Sequence, residues 1–276
     1  MVGVPVVEYL GSERVDKPSH SEVDLTNIDS IKRYLDSHPE INTLINFAAY
    51  TKVSAAQGNK DEENTCFFIN VTGVENLVRA LESRNIFLIH ISTDMVFPGS
   101  EDFPGPYTER MIPPDDQNKL TKYGESKRRG ELIALNHPNV AIIRIIYPIT
   151  DEGRLNYLSF PLDYYERNHE LYSIFRNQRM NMTLVKNVAE VIDILTKSKR
   201  PGIYHVSARD ITTPAIIMKK LFKTVHGNSD MVIETDLVAS VRYAMYGGLD
   251  SHWTQNELGL IFPTNLEMIE TLYGPK

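Results

Sequence analysis

The sequence predicts an α/β fold in which helices cover both faces of a parallel sheet. Three observations predict it: strand-like and helix-like segments alternate through the first half, the strand segments are almost continuously apolar, and loop-forming residues follow them. Strands that are apolar throughout are typical of parallel sheets, because helices cover both faces of such sheets. Ligands of such folds bind beyond the carboxyl ends of the strands, so functional residues are expected there.

Local patterns place the elements of the first half. Asn27 ends a polar stretch and is a favourable N-cap for a helix that runs to about His38. Residues 61–83 repeat apolar side chains every three or four positions, which predicts one amphipathic helix. Residues 97–114 are rich in Gly and Pro and are predicted to form a loop. The remaining predictions are strands at 4–10, 43–49, 86–92 and 140–146 and a helix at 119–136.

Beyond Pro148 the alternation weakens, and we predict a smaller lobe that is woven into the first half. We divide the chain into a first domain of residues 1–148 and a lobe of residues 149–276, and we expect residues 178–206 to return to the first domain. The second half is predicted to hold helices at 157–168, 184–197, 213–226, 253–258 and 266–272, and strands at 170–176 and 202–206.

Composition excludes several classes of function. The net charge of −7 argues against general nucleic-acid binding, which needs a basic surface. The single cysteine, Cys66, rules out an internal disulfide and a cysteine-rich metal site, and it fits a reducing compartment such as the cytoplasm. No apolar run has the roughly 20 residues of a membrane helix, residues 1–13 do not read as a signal peptide, and the eight histidines show no ligand spacing. We therefore expect no nucleic-acid, membrane or metal partner.

Candidate catalytic residues follow the predicted strand at 86–92. Tyr123 and Lys127 are four residues apart on a predicted helix and therefore share one of its faces. A free phenol has a pKa of about 10, and a neighbouring ammonium group favours the phenolate and lowers that pKa. Tyr123 can then protonate a carbonyl oxygen while a hydride reaches the carbon, and Thr93 can hydrogen-bond the same oxygen. This set of residues predicts a carbonyl reductase.

The spacing of Tyr123 and Lys127 is a weak signal by itself. Any helix can carry it by chance, with the tyrosine half-buried and the lysine in solvent. Three features favour the catalytic interpretation: the pair follows a buried strand that ends in Ser92, Thr93 and Asp94, a Gly- and Pro-rich loop lies between, and the order of strands is the expected one. Three strand ends are expected to converge on one crevice, at residues 48–50, 92–94 and 144–147.

Six blocks of sequence occur in the order INFAAYTKVSAAQ, FFINVTGVENLVRAL, IHISTDMVFPG, GPYTE, YGESKRRGE and AIIRIIYP. They resemble the dTDP-4-dehydrorhamnose reductases, a family of extended short-chain dehydrogenases/reductases. Weaker similarity continues through GIYHVSA and RYAMYGGLDSHW, so the resemblance spans about residues 24–258. It implies a Rossmann-like doubly wound parallel sheet, with residues 1–148 as the dinucleotide-binding domain. It also implies a nicotinamide cofactor, NADPH or NADH, and reduction of a nucleotide-linked 4-keto-6-deoxy sugar.

The resemblance implies functional residues by matching position. The catalytic residues would be Thr93, Asp94, Tyr123 and Lys127. The cofactor would contact Asp24, Leu25, Ala48, Ala49, Tyr50, Ser92, Tyr123, Lys127, Ile145 and Ile146. The sugar nucleotide would contact Val53, Met95, Val96, Phe97, Tyr147, Arg179 and Arg242. The two arginines would pair with its diphosphate, and a homodimer is a further expectation.

The sequence departs from the family at its start. Family members open with a strand, a GxxGxxG loop and a helix whose N-terminus holds the pyrophosphate. None of the fifteen glycines forms that pattern and no helix is predicted after Gly3, so the chain is expected to begin at the second strand. Ile145 and Ile146 also replace a pair of hydroxyl residues. Two alternatives stay open: a non-catalytic binding protein resembling the regulatory beta subunit of methionine adenosyltransferase, and a chain that lacks its first βα unit.

Overall fold

The computed structural model describes residues 2–11, 13–114, 116–150, 156–169, 172–238, 240 and 244–275. The helices are α1 (Gly3–Leu10), α2 (Ile28–Ser37), α3 (Val53–Gly58), α4 (Lys60–Phe67), α5 (Gly73–Leu81), α6 (Lys122–Ala134), α7 (Ser159–Asn168), α8 (Val185–Ser198), α9 (Pro214–His226), α10 (His252–Leu258) and α11 (Asn265–Tyr273). The strands are β1 (Thr43–Asn46), β2 (Phe87–Thr93), β3 (Val140–Ile145), β4 (Pro148–Ile149), β5 (Tyr172–Phe175), β6 (Thr183–Leu184), β7 (Gly202–Val206) and β8 (Val232–Thr235).

The central sheet has four parallel strands in the order β1-β2-β3-β7. Leu88 of β2 pairs with Val140 of β3, and Ala141 of β3 pairs with Gly202 of β7. Every residue of β2 and β3 is buried, as expected for strands that are covered on both faces. The parallel sheet with flanking helices confirms the predicted fold class.

Alternate residues of the strands face two separate hydrophobic layers. On one face, Ile89 and Ile143 pack with residues of α1 and α8, such as Val6 and Val191. On the other face, the core contains residues of α2, α5 and α6 together with strand residues, among them Ile31, Leu77, Ala134, Leu88 and Ile142. The alternation follows from the two-residue period of a strand, and it assigns α6 to the second face.

Residues 3–10 form helix α1, and the predicted strand is wrong. Val6 and Leu10 lie four residues apart on the face that packs against the sheet and α8, and this contact outweighs the β-propensity of the valines. The helix begins at Gly3, where an added Cβ would lie 3.4 Å from the ring of Phe47. Because Phe47 follows β1 directly, the N-terminus of α1 lies beside the carboxyl end of that strand. The expectation that the chain opens on a second strand, with no helix after Gly3, is therefore also wrong.

The predicted helix at 61–83 consists of three consecutive elements. A π-helical turn at Phe68–Thr72 separates α4 from α5 and contains the buried side chain of Asn70. A Cβ on Gly130 of α6 would collide with the carbonyl oxygen of Asn70. Helix α6 therefore packs closely against the π-helical turn, and only glycine fits at position 130 without displacing one of the two backbones.

The second half of the chain has a hydrophobic core of its own. Its buried members include Ile149, Leu158, Met182, Ile217, Leu221 and Met268. Two short parallel sheets, β4-β6 and β5-β8, lie in this half, whereas β7 belongs to the central sheet. Among the described residues, no helix has the length and apolar character needed to cross a membrane.

Candidate active site

Thr93 is the last residue of β2 and caps the 3-10 turn at Asp94–Val96 that follows it. Its hydroxyl accepts a hydrogen bond from Met95 N at 3.2 Å and donates one to Asp94 Oδ1 at 3.0 Å. The Thr93 side chain is 8% exposed. The strand end thus holds a hydroxyl in a fixed orientation at the carboxyl edge of the sheet, where ligands of parallel sheets bind.

Helix α6 begins next to this strand end. Thr121 caps the helix by accepting a hydrogen bond from Gly124 N at 3.0 Å. A Cβ at Gly124 would collide with the carbonyl oxygen of Met95, so the first turn of α6 touches the backbone just beyond Thr93. Gln57 at the end of α3 further fixes the helix start by accepting a 2.9 Å hydrogen bond from Lys122 N. Tyr123 lies in this first turn of α6, directly before Gly124.

Lys127 lies one turn further along α6 and is only 3% exposed. Its Nζ donates a hydrogen bond to the carbonyl oxygen of Ile91 at 2.7 Å. Burial lowers the pKa of Lys127 to about 8, against the opposing effect of the Glu131 and Cys66 side chains. The ammonium form still predominates at neutral pH. The structure therefore places Thr93, Tyr123 and Lys127 around the carboxyl end of one strand.

The side chain of Tyr123 is half-buried and packs against a small cluster that contains Tyr50, Ala56 and Cys66. Burial raises its pKa, and the charges of Asp94 and Cys66 add to that effect. The expectation that Lys127 lowers this pKa is wrong, because desolvation disfavours the charged phenolate. Tyr123 is a protonated phenol at neutral pH, as a free tyrosine also is.

Asp94 stands beside the Thr93 hydroxyl and the Tyr123 ring. Burial raises its pKa to about 7, although the hydrogen bond from Thr93 and backbone N–H groups lower it. The carboxyl group is therefore divided between its acid and its anion near neutral pH. Its charge therefore changes within the physiological range.

Five polar residues lie under α6 on one face of the sheet, and we call them the polar layer: Asn46, His90, Ser92, Arg144 and His205. Asn46 Nδ2 lies 3.1 Å from His90 Nδ1. His90 Nε2 and Ser92 Oγ are buried without a hydrogen-bond partner among the described residues. Burial of His90 holds its pKa well below the usual range, so its imidazole is neutral. Two unsatisfied polar atoms thus lie near the predicted cofactor residues.

Asn70 is a site residue that the sequence analysis missed. Its side chain accepts a hydrogen bond from Tyr50 N at 2.8 Å and donates to Tyr50 O at 3.2 Å. It also donates to Ser126 Oγ on α6 at 2.9 Å. The side chain therefore joins the loop after β1 to the helix that carries Tyr123. The signal in the sequence that could have identified Asn70 is that it is the one polar residue of the apolar FFINV stretch.

The predicted cofactor residues on the β1 side fall into two groups. Asp24 and Leu25 precede α2, and Leu25 packs over Gly73 and accepts a 3.0 Å hydrogen bond from Asn76. In the loop after β1, Ala48 is exposed and Ala49 is half-buried, but Tyr50 is buried. The Tyr50 hydroxyl donates to Glu62 at 2.5 Å. Burial and this bond raise the pKa of Tyr50 to about 12. The bond to Glu62 ties the loop after β1 to α4.

The predicted residues at the end of β3 are buried. Ile145 is 8% exposed and belongs to the core on the α8 face. Ile146 N donates to Thr183 Oγ1 at 2.9 Å, and its side chain packs with Val96, Phe97 and Tyr107. These two residues form an apolar floor beside the strand ends and offer no hydroxyl group.

A cleft opens between the turn that follows β2, the residues that precede α6, and Ala244. Its lining residues are Asp94, Met95, Phe97, Pro98, Lys119, Leu120, Thr121 and Ala244. Met95 and Phe97 were predicted to contact the substrate, and both lie at this cleft. Val96 is fully buried behind them. Lys119 and Ala244 were not predicted, because a lysine before a helix and an alanine in a loop carry no distinctive pattern.

The other predicted substrate residues are dispersed. Val53 is half-buried at the first position of α3. Tyr147 has a φ of 39° and its ring lies 4.8 Å from that of Tyr157. Arg179 is exposed, and its backbone pairs with Tyr246 in an isolated bridge. Arg242 lies outside the described residues.

Comparison with known proteins identifies the family. The sequence profile of the RmlD substrate binding domain matches residues 1–247. The chain belongs to this family. It is 27% identical over 256 residues, 90% of this chain and 82% of that protein, to the probable low-salt glycan biosynthesis reductase Agl14 of Haloferax volcanii. It is 31% identical over 192 residues to a dTDP-4-dehydrorhamnose reductase of Aggregatibacter actinomycetemcomitans; this match covers 67% of the chain and 61% of the relative.

The fold agrees with solved structures of RmlD-like proteins. The crystal structure of dTDP-4-dehydrorhamnose reductase from Bacillus anthracis, in complex with NADP, superposes with a TM-score of 0.82 at 24% identity. That superposition covers 99% of this chain and 94% of the neighbour. The family resemblance found in the sequence, and the Rossmann-like fold that it implied, are confirmed.

Proposed function

We propose that this chain is a nicotinamide-dependent reductase of a nucleotide-linked 4-keto-6-deoxy sugar. The observation that carries the proposal is the packing of α6 against the end of β2, which brings Tyr123 and Lys127 beside Thr93. Relatives named dTDP-4-dehydrorhamnose reductase and dTDP-4-keto-6-deoxy-D-glucose reductase support the substrate class. The reductase names of these relatives favour this function over that of a non-catalytic binding protein.

The residues present fit such a cofactor at two places. Helix α1 begins beside the carboxyl end of β1, no side chain caps it at Val2, and its first turn has no acidic residue. Pro5 has no N–H, so the backbone N–H groups suited to a pyrophosphate at this helix start are those of Gly3 and Val4. At the other end, Lys127 keeps donors beyond its bond to Ile91, and Ser92 Oγ lacks a described partner. Lys127 and Ser92 would hold the ribose next to the nicotinamide.

The chain's own residues supply the proton chemistry. A bound nicotinamide cofactor supplies the hydride. Tyr123 is a protonated phenol whose pKa is raised further by burial, and it donates its proton to the carbonyl oxygen of the substrate. The Thr93 hydroxyl turns from Asp94 to hydrogen-bond the same oxygen and stabilises its developing negative charge. The Lys127 ammonium favours the tyrosinate that remains after the transfer.

The substrate would enter through the cleft. Met95 and Phe97 give it an apolar wall suited to a 6-deoxy carbon, and Lys119 places a cation at its rim. The exposed guanidinium of Arg179 is available for the diphosphate. The proposal thus assigns the sugar to the cleft beside Thr93 and the nucleotide to the lobe.

Turnover with dTDP-4-dehydrorhamnose tests the proposal. We expect the purified chain to oxidise NADPH or NADH only when this sugar nucleotide is present. Tyr123→Phe should reduce kcat by roughly 10²–10⁴-fold, the contribution of a general acid. Tyr9→Phe is the matched control, because Tyr9 is an exposed tyrosine on α1. Equal turnover by Tyr123→Phe and the wild type would refute the proposed role of Tyr123.

A further inference from the structure

Glu131 and Arg144 form an ion pair that is completely buried in the polar layer under α6. Arg144 Nε donates to Glu131 Oε1 at 2.9 Å and Arg144 Nη2 donates to Oε2 at 2.8 Å, and both side chains are 0% exposed. The geometry is the bidentate fork in which a guanidinium group binds a carboxylate most specifically. Desolvation makes such a pair costly, and stability alone is weak grounds for it. The pair therefore calls for an explanation other than stability.

The glutamate end of the pair belongs to the helix of the proton donor. Glu131 lies four residues after Lys127, so the two share one face of α6. Arg128 Nη1 lies 3.6 Å from Glu131 Oε2 and adds a second cation. Gly130, the preceding residue, touches the Asn70 carbonyl. A displacement of Glu131 would thus move the helix face that presents Tyr123 and Lys127.

The arginine end of the pair belongs to the wall of the cleft. The guanidinium carbon of Arg144 lies 4.9 Å from the ring centroid of Phe97, a cation–π contact between two buried side chains. Phe97 in turn stacks on Tyr107 with centroids 4.0 Å apart and an interplanar angle of 10°. Arg144 thereby supports from below the loop that follows Thr93.

His205 connects Arg144 to the backbone carbonyls of Tyr107 and Asp250. Its Nδ1 lies 3.0 Å from both Tyr107 O and Asp250 O, so this nitrogen carries the proton and donates it. Its Nε2 is then the acceptor for Arg144 Nη1 at 3.4 Å. Burial and the charge of Arg144 lower the pKa of His205 to about 3, which keeps the ring neutral. One buried guanidinium thus contacts α6, the cleft loop and β7.

We propose that Glu131 and Arg144 are positioning residues that hold the Tyr123 helix at a fixed distance from the Phe97 wall of the cleft. The inference rests on the proposed reductase function. It states that the rate of proton transfer depends on the distance between Tyr123 and the Phe97 wall. Neither residue touches substrate; each acts through a residue at the site. Loss of the pair would leave substrate binding nearly intact and would misplace the carbonyl oxygen relative to Tyr123.

The test replaces both members of the pair by apolar residues of similar size. Glu131→Leu combined with Arg144→Met removes both charges of the bidentate pair together, and the only cation left beside position 131 is Arg128, whose side chain is 10% exposed. We expect a melting temperature close to that of the wild type, a kcat reduced about 10–100-fold, and a KM for the sugar nucleotide changed less than about threefold. The control is Glu267→Leu with Arg209→Met, an exposed pair that should change neither constant.

A kcat equal to that of the wild type in a folded paired variant would overturn the proposal. Should the paired variant fail to fold, Arg144→Lys decides the question, because it keeps a cation opposite Glu131 and removes the bidentate fork; the same selective loss of kcat is expected. Fluorotyrosine labelling gives a readout without turnover: the ¹⁹F resonance of Tyr123, assigned with Tyr123→Phe, should shift in the paired variant and stay in the control. An inactive wild type would refute the reductase function, whereas an unshifted resonance would refute the positioning role.

Discussion

Lys127 Nζ hydrogen-bonds the backbone carbonyl of Ile91 at 2.7 Å, two residues before Thr93. This bond fixes α6 to the strand that provides the hydroxyl of the candidate site. Burial of the same side chain lowers the pKa of Lys127 from 10.5 to about 8. The burial of Lys127 therefore makes the stability of the fold depend on pH.

The first prediction concerns that dependence. Between about pH 8 and 10.5 the unfolded chain binds the Lys127 proton and the folded chain does not, so stability rises with pH in this window. Relative to Lys127→Met, the wild type should gain on the order of 3 kcal/mol across it. Urea unfolding of both proteins at the two ends of the window measures the difference. Identical pH dependence in the two proteins would contradict the lowered pKa of the buried Lys127.

The second prediction has the opposite sign and concerns Asp94. Its pKa is raised from 3.8 to about 7 in the folded chain, so its contribution to stability is present below pH 3.8 and is lost as the pH rises through about 7. The variant Asp94→Asn has no carboxyl group that titrates at this position, so its stability does not fall in this way. Wild type and variant should diverge by on the order of 2 kcal/mol over the window, because a partly exposed carboxyl group is partly screened. Unfolding curves that stay parallel from pH 4 to 7 would be the contrary result.

The third prediction tests the packing of α6 against the strand end. Gly124→Ala adds a Cβ that collides with Met95 O, and we expect a loss of about 1–3 kcal/mol. Gly58→Ala is the matched control, since no atom lies within 4 Å of its added Cβ and alanine is the better helix former. Thermal unfolding of both variants distinguishes them. Equal melting temperatures would show that α6 does not touch the backbone after Thr93.

Much of the fold followed from the sequence because the hydrophobic pattern was strong. β2 and β3 are apolar runs buried on both sides, and the helix cap at Asn27 accepts hydrogen bonds from Asp29 N and Ser30 N as expected. Helix α1 was missed because three valines favour a strand locally, whereas contacts of Val6 with the sheet and α8 select the helix. Long-range packing of this kind leaves no signal in a short window.

The part of the candidate site that depends on the spacing of residues within one helix could be predicted. Tyr123 and Lys127 could be placed on one helix face from their separation alone. Asn70 and the pairing of Glu131 with Arg144 were not predicted, because these contacts join separate elements of the fold. The pKa of Tyr123 was predicted in the wrong direction, since burial depends on the tertiary structure.

The most direct test of the central claim is isotope transfer. The purified chain is incubated with dTDP-4-dehydrorhamnose and NADPH or NADH deuterated at the hydride position, and the sugar nucleotide product is analysed by mass spectrometry. We expect one deuterium at C4 of the sugar, incorporated by the wild type and at a greatly reduced rate by Tyr123→Phe. Recovery of unlabelled, unreduced substrate from a folded wild type with either cofactor would contradict it.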